Sequence, residues 1–141
     1  MKYTKWISAL VLLAVPLIAA AQMTPNKKIV TEVPFKFMAG AVEIPAGECT
    51  VQLLDDKSAF LMVANRAAKS SVYVLTLADL GSKSPNNAMV FHRYGDRYFL
   101  AELRLEDSRT VYTFTPTKLE KEFRAHNVPA TQDILLAASK P

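Results

Sequence analysis

The chain has 141 residues, with 17 Lys and Arg against 13 Asp and Glu, two His and a single Cys. The lone Cys rules out an internal disulfide, and neither His has a ligand-spaced partner for a metal. The net charge of +4 is scattered, without the Lys/Arg run of a nucleic-acid footprint, and none of the four Gly sits in a phosphate-cradling motif.

Residues 1–21 have the make-up of an export signal. Lys2 and Lys5 precede an apolar run over 6–18 that only Ser8 and Pro16 interrupt. Ala19-Ala20-Ala21 then places small residues at the −3 and −1 positions before Gln22. The run is short for a membrane span, which needs about 20 apolar residues; an uncleaved anchor is the alternative reading. Cleavage between Ala21 and Gln22 leaves 120 residues, and the net charge falls to +2 because Lys2 and Lys5 depart with the signal. That length is one domain, with enough chain to build a core without staples. The expected product is periplasmic, outer-envelope associated or secreted, and has no membrane span after signal removal.

Residues 22–28 form a polar, flexible lead-in, and one β-rich domain is expected over 29–141. A first strand over 29–37 contains Pro34, which suggests an edge strand or a bulge. Val33, Phe35 and Phe37 line one of its faces. Turns at Met38-Ala39-Gly40 and Pro45-Ala46-Gly47 bracket a short extended piece over 42–44. Residues 48–54 alternate cleanly, with Cys49, Val51 and Leu53 opposing Glu48, Thr50 and Gln52, as in a half-buried strand. Cys49 reads as a small buried hydrophobe, or else as the anchor of a disulfide between chains. Residues 59–64 are apolar on both faces, which suggests a central strand. Another strand, rich in β-branched and aromatic residues, follows over 70–77. Residues 78–87 read as a solvated loop or as a mouth over a binding site.

The hairpin over 88–105 is the strongest signal. Gly95-Asp96 lies between two aromatic-rich runs, and Gly at the first central position suits a type II′ turn. The implied register sets Tyr94 against Arg97, Arg93 against Tyr98, His92 against Phe99 and Phe91 against Leu100. Strict alternation collects Ala88, Val90, His92, Tyr94, Phe99, Ala101, Leu103 and Leu105 on the presumptive core face. A last strand over 109–115 is followed by a helix over 118–127, which Thr117 and Glu120 open as a capping box. Leu119, Phe123 and His126 make its apolar stripe, and Glu120, Lys121, Glu122 and Arg124 face water. Residues 134–138 are expected to form a short apolar segment, a helical turn docking on the sheet. Seven or so short strands and a C-terminal helix make a small antiparallel β-sandwich or barrel.

Two stretches, Val33-Pro34-Phe35-Lys36-Phe37-Met38-Ala39-Gly40 continuing to Ile44-Pro45-Ala46-Gly47-Glu48, and Val90-Phe91-His92-Arg93-Tyr94-Gly95-Asp96-Arg97-Tyr98-Phe99-Leu100, carry a resemblance. Together they resemble a family of short exported bacterial proteins found mostly in acidobacteria, which also tends to close with a Lys/Glu-rich helix. The chain departs from that pattern at Cys49, where the family commonly carries an aromatic. The resemblance implies export and a β-rich fold, and carries no chemistry.

His92 is the sole catalytic candidate. On the presumptive core face it would be buried and neutral, either as packing or as a general base for a nucleophile within reach. Asp96 is the only local acid, and Cys49 would have to approach through the fold. There is no Gly-x-Ser-x-Gly elbow. No cofactor or metal is expected. Arg93, Tyr94, Arg97 and Tyr98 are a candidate ligand or partner surface, because Tyr and Arg are enriched in such places. The partner would be a small apolar ligand or an envelope protein. These residues favour a non-enzymatic exported β-domain with a binding or structural role at the cell envelope; the alternative is a small secreted hydrolase using His92. The intact mass of the exported protein should match a chain beginning at Gln22, and recovery of the uncut chain in the membrane would overturn the export reading.

Overall fold

The computed structural model describes residues 27–55, 57–126 and 130–140. The expected export signal, its expected cleavage site at Ala21 and Gln22, and the expected lead-in as far as residue 26 lie outside the described residues. The elements are β1 (Lys28–Val33), β2 (Phe37–Ala39), β3 (Val42–Ile44), β4 (Gly47–Asp55), β5 (Phe60–Asn65), β6 (Ser70–Leu75), β7 (Leu77–Leu80), β8 (Asn87–Tyr94), β9 (Arg97–Arg104), β10 (Thr110–Thr113), α1 (Lys118–Ala125) and β11 (Ala130–Lys140). The expected class, mainly β with a C-terminal helix, is the class found. Among the described residues the strands number eleven, because the short β2, β3 and β7 and the long β11 add to those the sequence outlines.

The strands run in the order β3-β2-β9-β8-β11-β1-β4-β5-β6, with β10 pairing β9 and β7 pairing β10. Every pairing is antiparallel except that of β2 with β9. The first part of β11 pairs with β8, from Ala130↔Tyr94 to Ala137↔Asn87. Its last three residues pair with β1, from Ala138↔Val30 to Lys140↔Lys28. The strand therefore passes from one sheet to the other, as strands do at the corners of half-closed barrels. Residues 134–138 are part of this strand and not a helical turn; the local preference of Leu and Ala for helix yields to two waiting sheet edges.

Pro34 also marks a change of sheet. It lies between β1 and β2, and β1 sits inside the sheet between β11 and β4, so the edge-strand reading of 29–37 does not hold. Proline has no N–H to donate, so the ladder stops at Val33 and resumes with Phe37 in the other sheet. Residues 78–80 of the presumed loop likewise belong to β7, which pairs with β10 from Leu77↔Thr113 to Leu80↔Thr110. β5 lies between β4 and β6, as its two apolar faces suggest.

The interior is filled by Phe37, Ile44, Leu61, Met89, Phe91 and Leu103, all fully buried. Phe91 meets Phe35 and Phe37 edge-on, with both centroids 5.1 Å away. Such ring pairs contribute about 0.5–1.5 kcal/mol each beyond their buried area. Cys49, Val51 and Leu53 point inward as their alternation requires. Burial pushes the Cys49 thiol up to about 12, against a smaller lowering by a backbone hydrogen bond at Ala64. A thiol with no exposed surface has no route to a second chain, which removes the intermolecular disulfide reading.

The hairpin register is the one expected: Tyr94↔Arg97, Arg93↔Tyr98, His92↔Phe99 and Phe91↔Leu100. Its core face is not. The register slips between Val90 and Phe91, so that Val90 pairs with Glu102 and Ala101 is left over as a bulge. A one-residue insertion moves every later side chain to the opposite face. Leu103 and Leu105 therefore join Met89, Phe91 and Leu100 in the interior. His92, Tyr94 and Phe99 are on the other side of the wall.

Gly95 has a φ of 60°, and no atom lies within 4 Å of where a Cβ would stand. Its requirement is purely conformational, whereas at Gly81 a Cβ would come within 2.9 Å of Val111 Cγ2. Gly95→Ala should cost about 1–2 kcal/mol in urea unfolding, the ordinary penalty for a side chain in left-handed backbone. An unchanged midpoint would show that the turn relaxes freely.

Candidate functional site

In a strand, residues two apart share a face, so β8 presents His92 and Tyr94 together. Phe99, opposite His92 on β9, joins them. Across from this group lies α1. The Thr117 side chain caps the helix by accepting from the Glu120 backbone N–H at 3.3 Å. Glu120, Phe123 and Arg124, at i, i+3 and i+4, share the face that meets the sheet. The Phe123 ring is 6.0 Å from Tyr94 and 6.0 Å from Phe99, and those two meet edge-on at 5.7 Å. Eight residues are too few to hold a helix in water unaided; this contact holds it.

The helix face is thus not the predicted one. Leu119 is 36 % exposed and His126 is exposed, while Glu120, assigned to water, is only 5 % exposed. The reciprocal half of the capping box is given up so that the Glu120 carboxylate can reach the sheet. Three donors converge on its Oε1: the Tyr94 hydroxyl at 3.0 Å, His92 Nδ1 at 3.0 Å and Arg124 Nη2 at 3.2 Å. Arg124 Nε also donates to the Tyr94 hydroxyl oxygen at 2.8 Å. Arg124 Nη2 stands 3.4 Å from His92 Nδ1, farther than the carboxylate does. The shorter contact assigns the Nδ1 proton to the Glu120 bond.

Burial raises the Tyr94 phenol above its ordinary range, with the Glu120 contacts adding to the rise and Arg124 opposing it. The Arg124 guanidinium is raised as well, chiefly by its bond to Tyr94. A raised phenol keeps its proton, so its contribution is present below the unfolded value of about 10 and is lost as pH rises through the folded one.

The structure separates the other sequence candidates. Cys49 faces the interior and His92 the helix, on opposite sides of the wall. Asp96 is exposed in the turn, and the acid that engages His92 is Glu120, 28 residues along the chain. The His92 side chain is 28 % exposed and faces a carboxylate, in place of the apolar burial expected of it. Arg93 donates from Nε to Gly95 O at 2.8 Å, with its guanidinium 5.6 Å from the Tyr98 ring centroid. Tyr98 stacks on Phe35 at 3.7 Å. Tyr94 and Arg97 belong to the opposite face, so the four residues proposed as one ligand surface are divided between two. Among the described residues, no group of three or more His, Cys, Asp or Glu could hold a metal ion.

Glu120 and Arg124, which share the Phe123 face, are what the sequence reading missed. Their helical spacing is as good as that of Leu119, Phe123 and His126, but a capping box had already accounted for Glu120. No family model, curated protein or solved structure matches the chain.

Glu120→Ala should lower stability by about 1.5–3 kcal/mol, the range for hydrogen bonds to a charged group, and Tyr94→Phe by about 1 kcal/mol. The double variant should cost less than the sum, since both remove one shared bond. Amide protection over 118–125 should fall with Glu120→Ala; full protection would mean that the rings alone dock the helix.

Proposed function

We propose that the chain is a non-enzymatic exported β-domain with a binding or structural role at the cell envelope. The observation that carries this reading is that the side-chain partners of His92 are Glu120 and Arg124, with no Ser, Thr or Cys among them in the described residues. A histidine serving as general base needs an orienting acid, a free ring nitrogen and a nucleophile in reach. Here the acid is buried and shared with Tyr94 and Arg124 in a clamp that fastens a helix. The nearest thiol in the sequence reading, Cys49, is behind the sheet. Tyr94 is itself buried and committed to Glu120 and Arg124.

The filled interior favours a surface partner over an apolar molecule held inside the barrel. Residues 70–78 contain no charge and no Pro, and Tyr73, Leu75 and Leu77 are each at least 60 % exposed. Solvent-facing strands usually carry charges or Pro that discourage association. This uncharged stripe suits a partner at the envelope. No helix among the described residues is long and apolar enough to cross a membrane.

The test compares the exported protein with His92→Phe in a screen of chromogenic esters, phosphates and glycosides. Both proteins should fold with similar circular dichroism, and neither should give turnover above buffer. Turnover that vanishes in a folded His92→Phe protein would establish the hydrolase and refute the non-enzymatic reading.

A further inference from the structure

A cavity of about 380 Å³ opens on the outer face of β1, β4, β5 and β6, beside the turn that joins the last two. That volume lies within the usual range of small-molecule sites, roughly 300–1,000 Å³. Three cations line it, Lys28, Arg66 and Lys69. Thr50, Gln52 and Ser71 add neutral donors, and Met62 contributes an apolar floor. No acidic side chain lines it. Glu32 and Glu48 face one another on the same side of the sheet, two residue pairs beyond Val30 and Thr50. Neither forms an ion pair with the three cations, which have no such partner among the described residues.

The turn that carries two of these cations is built rigidly. Asn65 is buried, donates from Nδ2 to Pro45 O at 3.0 Å and Ala46 O at 3.2 Å, and accepts from the Ala68 N–H at 3.1 Å. Lys69 N–H donates to Arg66 O at 3.2 Å. Lys69 has a φ of 53°, the left-handed region that Gly or Asn ordinarily fills. Ala59 and Asp107 share this conformation, with φ of 53° and 58°, so what sets Lys69 apart is its place in the lining of the cavity.

We infer that this cavity is an anion site that takes a phosphate-bearing ligand. Three cations of like sign repel one another until an anion enters, and a phosphate group offers enough charge and oxygens to engage a guanidinium fork, two ammonium groups and the adjacent hydroxyls together. The chemistry is common to a soluble phosphate ester and a phospholipid headgroup. The inference rests on the binding reading above and deepens it by naming a ligand class.

Titration of the exported protein with inorganic phosphate, at constant ionic strength, can be followed by ¹⁵N–¹H amide shifts. Saturable shifts should be confined to residues 50–52 and 64–71. Arg66→Ala should weaken binding by about tenfold or more, as expected for loss of one charge-assisted contact. Lys69→Gly should weaken it comparably while leaving the melting temperature unchanged or raised, an outcome that simple damage to the fold would not give. Lys57→Ala, in the exposed turn after β4, should change nothing. Sedimentation with phosphatidylglycerol vesicles, set against phosphatidylcholine vesicles, identifies the source: anionic vesicle binding that needs Arg66 supports a headgroup, and phosphate binding without it supports a soluble ester. Shifts spread without saturation over all exposed lysines, or no shifts and no Arg66-dependent vesicle binding, would refute the site. Turnover in the hydrolase screen with the phosphate site intact would refute only the non-catalytic reading.

Discussion

The architecture depends on β11. Its first eight residues complete the ladder of β8 and its last three complete that of β1, so one strand supplies backbone partners to both sheets. Without it β1 and β8 would each present an open row of N–H and C=O groups, costly if buried and an invitation to association if exposed. Because the pairing joins the end of the described chain to its beginning, it also fixes where the remaining strands must curl. β3 and β6, the two ends of the strand order, are brought near one another, with Ser70 Oγ 3.5 Å from Glu43 O.

That constraint was the least legible part of the sequence. Ile134-Leu135-Leu136-Ala137-Ala138 has a single β-branched residue, Ile134, and no aromatic, and its identity as strand comes from the edges that receive it. Local order was far easier to read. Gly95-Asp96 set the hairpin register residue for residue, and the alternation from Glu48 to Leu53 gave the buried face of β4. Both signals are local, needing only a turn and a period of two. The failures came where one residue breaks the period. Strict alternation through Ala101 assigns Leu103 to the side of Phe99, and the bulge returns it to the side of Leu100. That slip also reverses which side of the hairpin is the main core and which is covered by a helix.

The same reversal explains why the site was half seen. His92 and Tyr94 were recognised as neighbours on one face, and Glu120 as a capping residue. The two observations could be joined only once that face was known to lie against α1. On the helix the choice lay between two stripes sharing Phe123. The one with Leu119 is more apolar, but the one with Glu120 and Arg124 can satisfy the Tyr94 hydroxyl. A buried phenol without a partner would cost about 1–3 kcal/mol, so polar satisfaction and not hydrophobicity selects the docking face.

The two polar groupings of the molecule differ in what their charges have left to do. At α1 the carboxylate of Glu120 is closed off and has three donors on one oxygen, so its electrostatic capacity is consumed within the chain. Such a cluster gives geometric specificity, holding a short helix at one place on the sheet. Around the β5–β6 turn the arrangement is the inverse: Lys28, Arg66 and Lys69 border an open cavity, and the buried Asn65 spends its amide on fixing the turn beneath them. The proposed anion site would therefore draw on cations that have no ion-pair partner among the described residues, whereas the Glu120 carboxylate is already engaged within the chain.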